Sequence, residues 1–437
     1  MDAPPSRLPP LTVTAPLYLG IDFGTSGCRA LAIDGEGQVA AEARVPMPPP
    51  HREGGGESRQ DPLLWWEALE SVTARLWEEI PAKRVAAVAI DGTSATLVVT
   101  DGEGKPLTEA WMYDDASATE ATRRVTSVIP AASAAHGPTS SLAKLLSLLP
   151  CHPGIRHALH QAEWITARLT GDLRLRDENN ALKMGYDIVE RRWPDWLLEL
   201  EVTEEVLGQV RPPGTPAGRA STDAAARLGF DPATRVACGT TDSTAGFLAT
   251  GAVGLGEAVT SLGSTLVLKM ISDRPLFHPP SGIYSHRLGD RWLVGGASNA
   301  GGAVLERFFS AEEMARLSER IDPAQPSGLD YYPLLRPGER FPHADPRLQP
   351  RLEPRPAEPE RFLHGLLEGL ARIEAEGYAR LEALGAPRLR SVRTVGGGAS
   401  NRTWRAIRQR LLGVPFREPR HTEAAYGAAL LARGLAG

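Results

Sequence analysis

Two aspartates, Asp22 and Asp242, each end an apolar run beside a turn of glycine and hydroxyl residues. The first turn reads Asp22-Phe-Gly-Thr-Ser-Gly27. Glycine at 24 and 27 permits backbone angles closed to other residues. Such a turn aims successive N–H groups, with the Thr25 and Ser26 hydroxyls, at an anion. A carboxylate at the strand end can then hold a divalent cation against that anion. An ordinary hairpin with glycine at its tight positions uses the same residues. The second stretch, Val236-Ala-Cys-Gly-Thr-Thr-Asp242, leads into small residues that pack like a helix start. There Asp242 either caps the helix or stands at the strand end as a general base. Residues 258–268, Ala-Val-Thr-Ser-Leu-Gly-Ser-Thr-Leu-Val-Leu, repeat the strand, turn and strand of the first stretch. Two such turns facing each other across a cleft can clamp a polyphosphate.

Three further segments carry polar chemistry. Trp111-Met-Tyr-Asp-Asp115 is either a solvated turn or a site for sugar hydroxyls. Gly295-Gly-Ala-Ser-Asn-Ala-Gly-Gly302 precedes a helix over 303–309, and Gly396-Gly-Gly-Ala-Ser-Asn401 opens one over 403–412. Glycines at a helix start let the backbone approach a phosphate or flat ligand closely. Cys151, His152, His157 and His160 fit no zinc template and read as a loop entering a solvated helix.

The elements that must position these residues follow from hydrophobic spacing. Residues 17–21 and 28–33 are strands, as is 85–90, which leads into Asp91-Gly-Thr-Ser94. The pair Ile21–Asp22 with Asp34-Gly-Glu-Gly37 is echoed by Ile90–Asp91 with Asp101-Gly-Glu-Gly104, each unit describing a β-meander. Asp61-Pro62 starts a helix in which Trp65, Leu69, Val72 and Leu76 recur at helical spacing, making Trp65 and Trp66 core. Helices are expected over 140–149, holding Lys144, and 162–169, closed by Thr170-Gly171. Residues 177–183 are a polar loop. Ten prolines between 322 and 360 exclude long helices and imply an extended surface excursion. A helix over 361–384, a strand over 391–395 and a last helix over 422–435, with Ala and Gly on its packing face, complete the chain.

With 437 residues the chain can form two or three domains. A net charge of -5 provides no basic face for nucleic acid. No apolar run approaches the roughly 20 residues of a membrane span, so no membrane partner is expected. The first sixteen residues hold five prolines and no apolar segment, reading as a mobile leader rather than a secretory signal. Three scattered cysteines argue against a disulfide framework and for a reducing, cytoplasmic setting. A P-loop, a dinucleotide glycine fingerprint and a protein-kinase catalytic loop are all missing.

Taken in order, Asp22-Phe-Gly-Thr-Ser, Ser261-Leu-Gly-Ser-Thr and Val395-Gly-Gly-Gly-Ala-Ser-Asn401 resemble the two phosphate motifs and the adenosine motif of the actin-like ATPase superfamily. Residues 111–115, Leu169-Thr-Gly171, Asp242, Gly338-Glu-Arg-Phe-Pro342 and Leu412-Gly-Val-Pro-Phe416 extend the resemblance to the FGGY carbohydrate kinases over nearly the whole chain. That resemblance implies an α/β fold: two RNase H-like domains flanking an ATP and sugar cleft. Residues 17–250 would form the first domain, with 420–437 returning to it, and 251–419 the second. It implies a kinase using ATP and Mg²⁺, in which Asp242 is the catalytic base and Asp22 lies near the metal, through water, and the phosphates. Gly24, Thr25 and Ser26 would meet the γ-phosphate, and Gly263, Ser264 and Thr265 the β- and γ-phosphates. Gly301, Gly302, Gly397, Gly398, Ala399 and Asn401 would complete the nucleotide site.

Many xylulose kinases carry Gln-Met-His where this chain has Thr93-Ser94-Ala95. The Asp-Gly-Thr-Ser version resembles a cyanobacterial and plant-plastid branch associated with D-ribulose. The expected reaction is D-ribulose plus ATP giving D-ribulose 5-phosphate, with Ser94, Asp115, Asp22 and Asp242 near the sugar. D-xylulose or another polyol, and an actin-like ATPase without sugar turnover, are the competing readings. A sugar-sensing regulator is disfavoured because no basic helix-turn-helix segment is present.

Overall fold

The computed structural model describes residues 15–435. Apart from residues 15 and 16, the leader expected over 1–16 lies outside them.

Leu17–Phe23 is buried along its whole length, as a run of apolar residues covered on both faces must be. It sits inside a six-stranded sheet in the order Pro216–Arg219, Arg235–Thr241, Val85–Gly92, Leu17–Phe23, Gly27–Ile33, Val39–Pro46. The three central strands run parallel; Pro216–Arg219 and Gly27–Ile33 flank them antiparallel, and Val39–Pro46 pairs antiparallel with Gly27–Ile33. A second sheet repeats the plan: Tyr284–Leu288, Arg291–Ser298, Leu266–Ser272, Glu257–Leu262, Ser391–Val395, Phe416–Arg417. Both expected hairpins are present, 17–33 and 257–272, each the first antiparallel pair of its sheet.

Helix Leu63–Glu79 covers one face of the first sheet through Trp65, Leu69, Val72 and Leu76. Helix Ala424–Gly434 covers the other through Ala425, Ala428, Ala429 and Ala432. Contact there is close: a Cβ on Gly20 would stand 1.9 Å from the Ala425 carbonyl, and one on Gly427 1.8 Å from that of Ala245. The second sheet packs on helix Pro359–Ala383, whose Leu363, Leu366, Leu367 and Leu370 are buried. Each such leucine contributes about 1.5–3 kcal/mol. No helix of the described residues is long and apolar enough to cross a membrane.

Four local expectations fail for physical reasons. The strand after Asp91-Gly-Thr-Ser94, Leu97–Thr100, does not fold back on Val85–Gly92. Both edges of Val85–Gly92 are already taken by Leu17–Phe23 and Arg235–Thr241. Leu97–Thr100 instead joins a separate five-stranded sheet with Ala110–Trp111 and His157–His160. The latter is a strand, not a solvated helix, and His160 is buried. The proline-rich stretch after 322 is extended but not superficial: Tyr331, Tyr332, Leu334 and Phe341 enter the second core. Lastly, neither Gly24 nor Gly27 takes a positive φ. What Gly27 supplies is room, since a Cβ there would lie 3.0 Å from the Val45 carbonyl.

Candidate active site

Parallel strands gather their carboxyl ends on one side of a sheet, and ligands bind in the crevice outside those ends. Here three acids arrive there together. Asp22 and Asp91 are register partners on adjacent parallel strands, and Asp242 follows directly on the third. Asp91 is fully buried, and neither carboxyl oxygen finds a donor among the described residues. Burial and the neighbouring Asp22 push its pKa well above the usual carboxylate range. Asp22 is raised as well by burial, against the lowering influence of the neighbouring Asp91 carboxyl and the charge of Arg29. An Arg29 nitrogen stands 3.7 Å from Asp22 and 2.9 Å from Glu423. Asp242 is pushed up to about 6 by burial and the Asp22 charge, although the Ser243 N–H donates to it at 2.6 Å.

Asp242 opens helix Asp242–Ala249 rather than capping it, since the cap position falls to Thr241. Asp91, absent from the sequence-derived site set, is joined to Asp22 by the sheet register. Its signal was the Ile-Asp-Gly-Thr-Ser echo itself, which places a second acid at the matching strand end.

The strand end after Asp91 turns through Thr93 to Thr96, with Ala95 at φ 68, a strained conformation for alanine. Lys144, wholly buried, holds this turn by donating to the Ala95 carbonyl at 2.8 Å. It also donates to the Met112 carbonyl at 2.6 Å, tying the turn to the 111–115 segment. Burial lowers the Lys144 pKa to about 7. The Ser94 hydroxyl oxygen is shielded yet lacks a partner. Asp115 faces inward: its carboxylate accepts from the Ser58 N–H at 2.7 Å and the Ser117 hydroxyl at 2.7 Å, and pairs with Arg59. These contacts leave Asp115 an anchor for the loop and correct its expected sugar contact. Asp114 is the open one, paired with Arg52 at 2.8 Å by one oxygen while the other has no partner.

The second hairpin borders a cavity of about 610 Å³ lined by Gly263, Ser264, Gly302, Gly397, Gly398 and Asn401. Met314, Ala315, Ser318 and Trp404 also line it, and the sequence reading did not name them; their signal was the amphipathic spacing of Ala311–Ser318. Glycine is required for closeness here. A Cβ on Gly301 would stand 2.5 Å from the Ser264 carbonyl, and one on Gly398 2.5 Å from the Trp404 ring. Asn401 spends its side chain on structure: Oδ1 accepts from the Trp404 N–H at 2.9 Å, and Nδ2 donates to the Ser318 hydroxyl at 2.9 Å.

Two contacts bridge the sheets beside Asp242. Lys269 of the second sheet donates to the Ser243 carbonyl at 2.9 Å. Asn179 donates to the Thr240 hydroxyl at 3.1 Å and exchanges hydrogen bonds with the Arg287 backbone at 3.2 and 3.0 Å. The stretch over 177–183, expected as a polar loop, is instead the buried helix Glu178–Ala181 running into the helical turn Leu182–Met184, because the Asp177 carboxylate caps it; through Asn179 it reaches across the cleft.

Among the described residues no three acidic, His or Cys side chains form a ready-made metal cage. Yet Asp22, raised by burial at the strand end, is a carboxylate whose charge a divalent cation would relieve, with phosphates and water completing its shell.

The family model for the N-terminal domain of the FGGY family of carbohydrate kinases matches residues 17–249, and that for its C-terminal domain residues 258–434. The xylulose kinase of Escherichia coli is 24% identical over 438 residues, covering 95% of this chain and 90% of that protein. The gluconokinase of Bacillus subtilis is 23% identical over 440 residues, covering 89% and 81%. A xylulose kinase structure from Rhodospirillum rubrum superposes with a TM-score of 0.86 at 22% identity, covering 96% of this chain and 90% of that one.

Proposed function

Because the chain belongs to the FGGY family of carbohydrate kinases, we propose that it transfers the γ-phosphoryl group of ATP to the terminal hydroxyl of a ketopentose, D-ribulose. The observation that carries this reading is the meeting of Asp22, Asp91 and Asp242 at the ends of three adjacent parallel strands, with the unpartnered Ser94 hydroxyl on the turn that follows Asp91.

Asp242 is the general base. Its pKa of about 6 leaves it ionised at neutral pH but basic enough to take the proton of the attacking hydroxyl. In a loose phosphoryl-transfer transition state this base chiefly orients the nucleophile. Thr25 and Ser26 hold the γ-phosphate, whereas Gly263, Ser264 and Thr265 hold the β- and γ-phosphates through backbone N–H groups. The adenosine occupies the cavity between Gly302 and Gly397–Gly398. Mg²⁺, which Asp22 would hold, would supply charge neutralisation on the phosphates. Asp91 keeps its proton, donates to Asp22 and so keeps that carboxylate aimed. Ser94 and Asp114 meet sugar hydroxyls, with Asp115 and Lys144 fixing the loops that carry them. The buried free thiols of Cys28 and Cys238 accord with a cytoplasmic setting.

The D-ribulose assignment rests on Thr93-Ser94-Ala95, where no imidazole is available to a sugar hydroxyl. The relatives named xylulose kinase support D-xylulose as the second reading. ADP release with D-ribulose, D-xylulose, gluconate and glycerol separates them. Activity on D-xylulose but not D-ribulose overturns the sugar assignment, and ATP hydrolysis indifferent to all four overturns the sugar kinase.

A further inference from the structure

A second cavity of about 230 Å³ lies against the cleft-facing side of the second sheet, with Lys183, Lys269, Arg340, Tyr284, His286 and Ser281 among its lining residues. None of the residues lining it carries a carboxylate. Among the described residues Lys183, Lys269 and Arg340 form no ion pair. The Lys183 ammonium has one carbonyl partner, that of Ala134 at 3.2 Å, and lies 4.0 Å over the Tyr284 ring. Lys269 has one carbonyl partner, that of Ser243. Each ammonium carries three donors, of which one on each has a protein acceptor among the described residues, and the Asp242 charge acts on Lys269 from the cleft side.

Arg340 is presented deliberately. Glu339 accepts from the Ser298 hydroxyl at 2.6 Å, the Asn299 N–H at 2.7 Å and the Tyr332 hydroxyl at 3.0 Å, locking the loop that carries the arginine. Thus the Gly338-Glu-Arg-Phe-Pro342 stretch, which phosphoryl transfer does not use, ends at this cavity's rim. The cations also crowd a neutral group: burial, then Lys269 and Lys183, hold His286 well below its usual pKa. Like charges gathered around a shielded space repel, and a bound anion removes that cost.

We propose that this cavity is an oxyanion site for a phosphate group, carried either as free phosphate or as the ester of a small sugar. A phosphate with its several acceptor oxygens matches two ammoniums and a guanidinium, and the Ser281 and Tyr284 hydroxyls add donors. Since Lys269 also holds the Asp242 helix through Ser243, occupancy competes for the cation beside the base, and the bound phosphate acts as an inhibitor. This inference does not depend on which sugar is phosphorylated.

The test is calorimetry on the full chain with a saturating non-hydrolysable ATP analogue, so that phosphate positions at the hairpins are filled. Inorganic phosphate and D-ribulose 5-phosphate are titrated separately into wild type and Lys183→Met/Arg340→Met. The expected result is binding to wild type that weakens tenfold or more in the double variant, with affinity for the analogue unchanged. Equal binding of both probes assigns the site to free phosphate; tenfold tighter binding of the ester assigns it to a sugar phosphate. Arg340→Met alone, at an exposed position, repeats the measurement without altering the cleft interior. Absence of binding by either probe, or equal affinity in wild type and both variants, overturns the proposal.

Discussion

Asp22 and Asp91 face each other across two adjacent parallel strands, paired in register, and the Asp22 charge adds to burial in pushing the Asp91 carboxyl above its usual range. Two adjacent carboxyls do not both ionise readily in a buried site, and burial leaves the proton on Asp91. Asp91→Asn retains a donor toward Asp22 and should keep kcat within about threefold, whereas Asp91→Leu removes it and should lower kcat tenfold or more. Steady-state rates with melting curves check this; equal losses in both variants would exclude a donor role.

Asp242→Ala should lower kcat by roughly 10²-fold or more, the range for a positioned general base. Affinity for ADP should be unchanged, because the nucleotide cavity lies on the other sheet. A residual rate above a tenth of wild type would remove Asp242 from the chemistry.

The pH dependence follows from the same group. A base must be ionised, so kcat/KM should fall about tenfold per unit below pH 6, where Asp242 takes up its proton. The stability effect has the opposite sense. A carboxyl whose folded pKa lies above its unfolded value of 3.8 binds protons more tightly when folded, and stability then declines as pH rises from about 4 to 6. Asp242→Asn should consequently melt a few degrees higher at pH 7, on the order of 1 kcal/mol. A lower melting temperature would contradict a net cost of holding this charge in the folded protein.

In the nucleotide site, Gly301→Ala forces a methyl group against the Ser264 carbonyl. The hairpin must shift, so the melting temperature should fall, and in the protein that remains folded affinity for ATP should drop about tenfold or more. Titration with ADP reads this directly, and wild-type affinity would show that the hairpin does not hold the phosphates.

The sheets, both hairpins and the strand end bearing Asp242 were legible because buried parallel strands must be continuously apolar and the turns between them punctuated by glycine. Asp115 was not: sequence marks two adjacent carboxylates but not which of them the Ser58 N–H and Arg59 draw inward. Asp91 was missed because its significance is a matter of register, which depends on strands distant along the chain. Lys144 read as one charge on an amphipathic helix, and only the fold brings the Ala95 and Met112 carbonyls to it.

Helix Ala424–Gly434 has a consequence for biosynthesis. It covers Tyr18, Ile33, Ala89 and Ala237, residues made far earlier. During translation that face of the first sheet stays bare until residues 424–434 leave the ribosome, so the first sheet cannot finish folding before that much later segment is made. A ribosome stalled just short of Glu423 should hold a nascent chain whose first half is open to protease and chaperone.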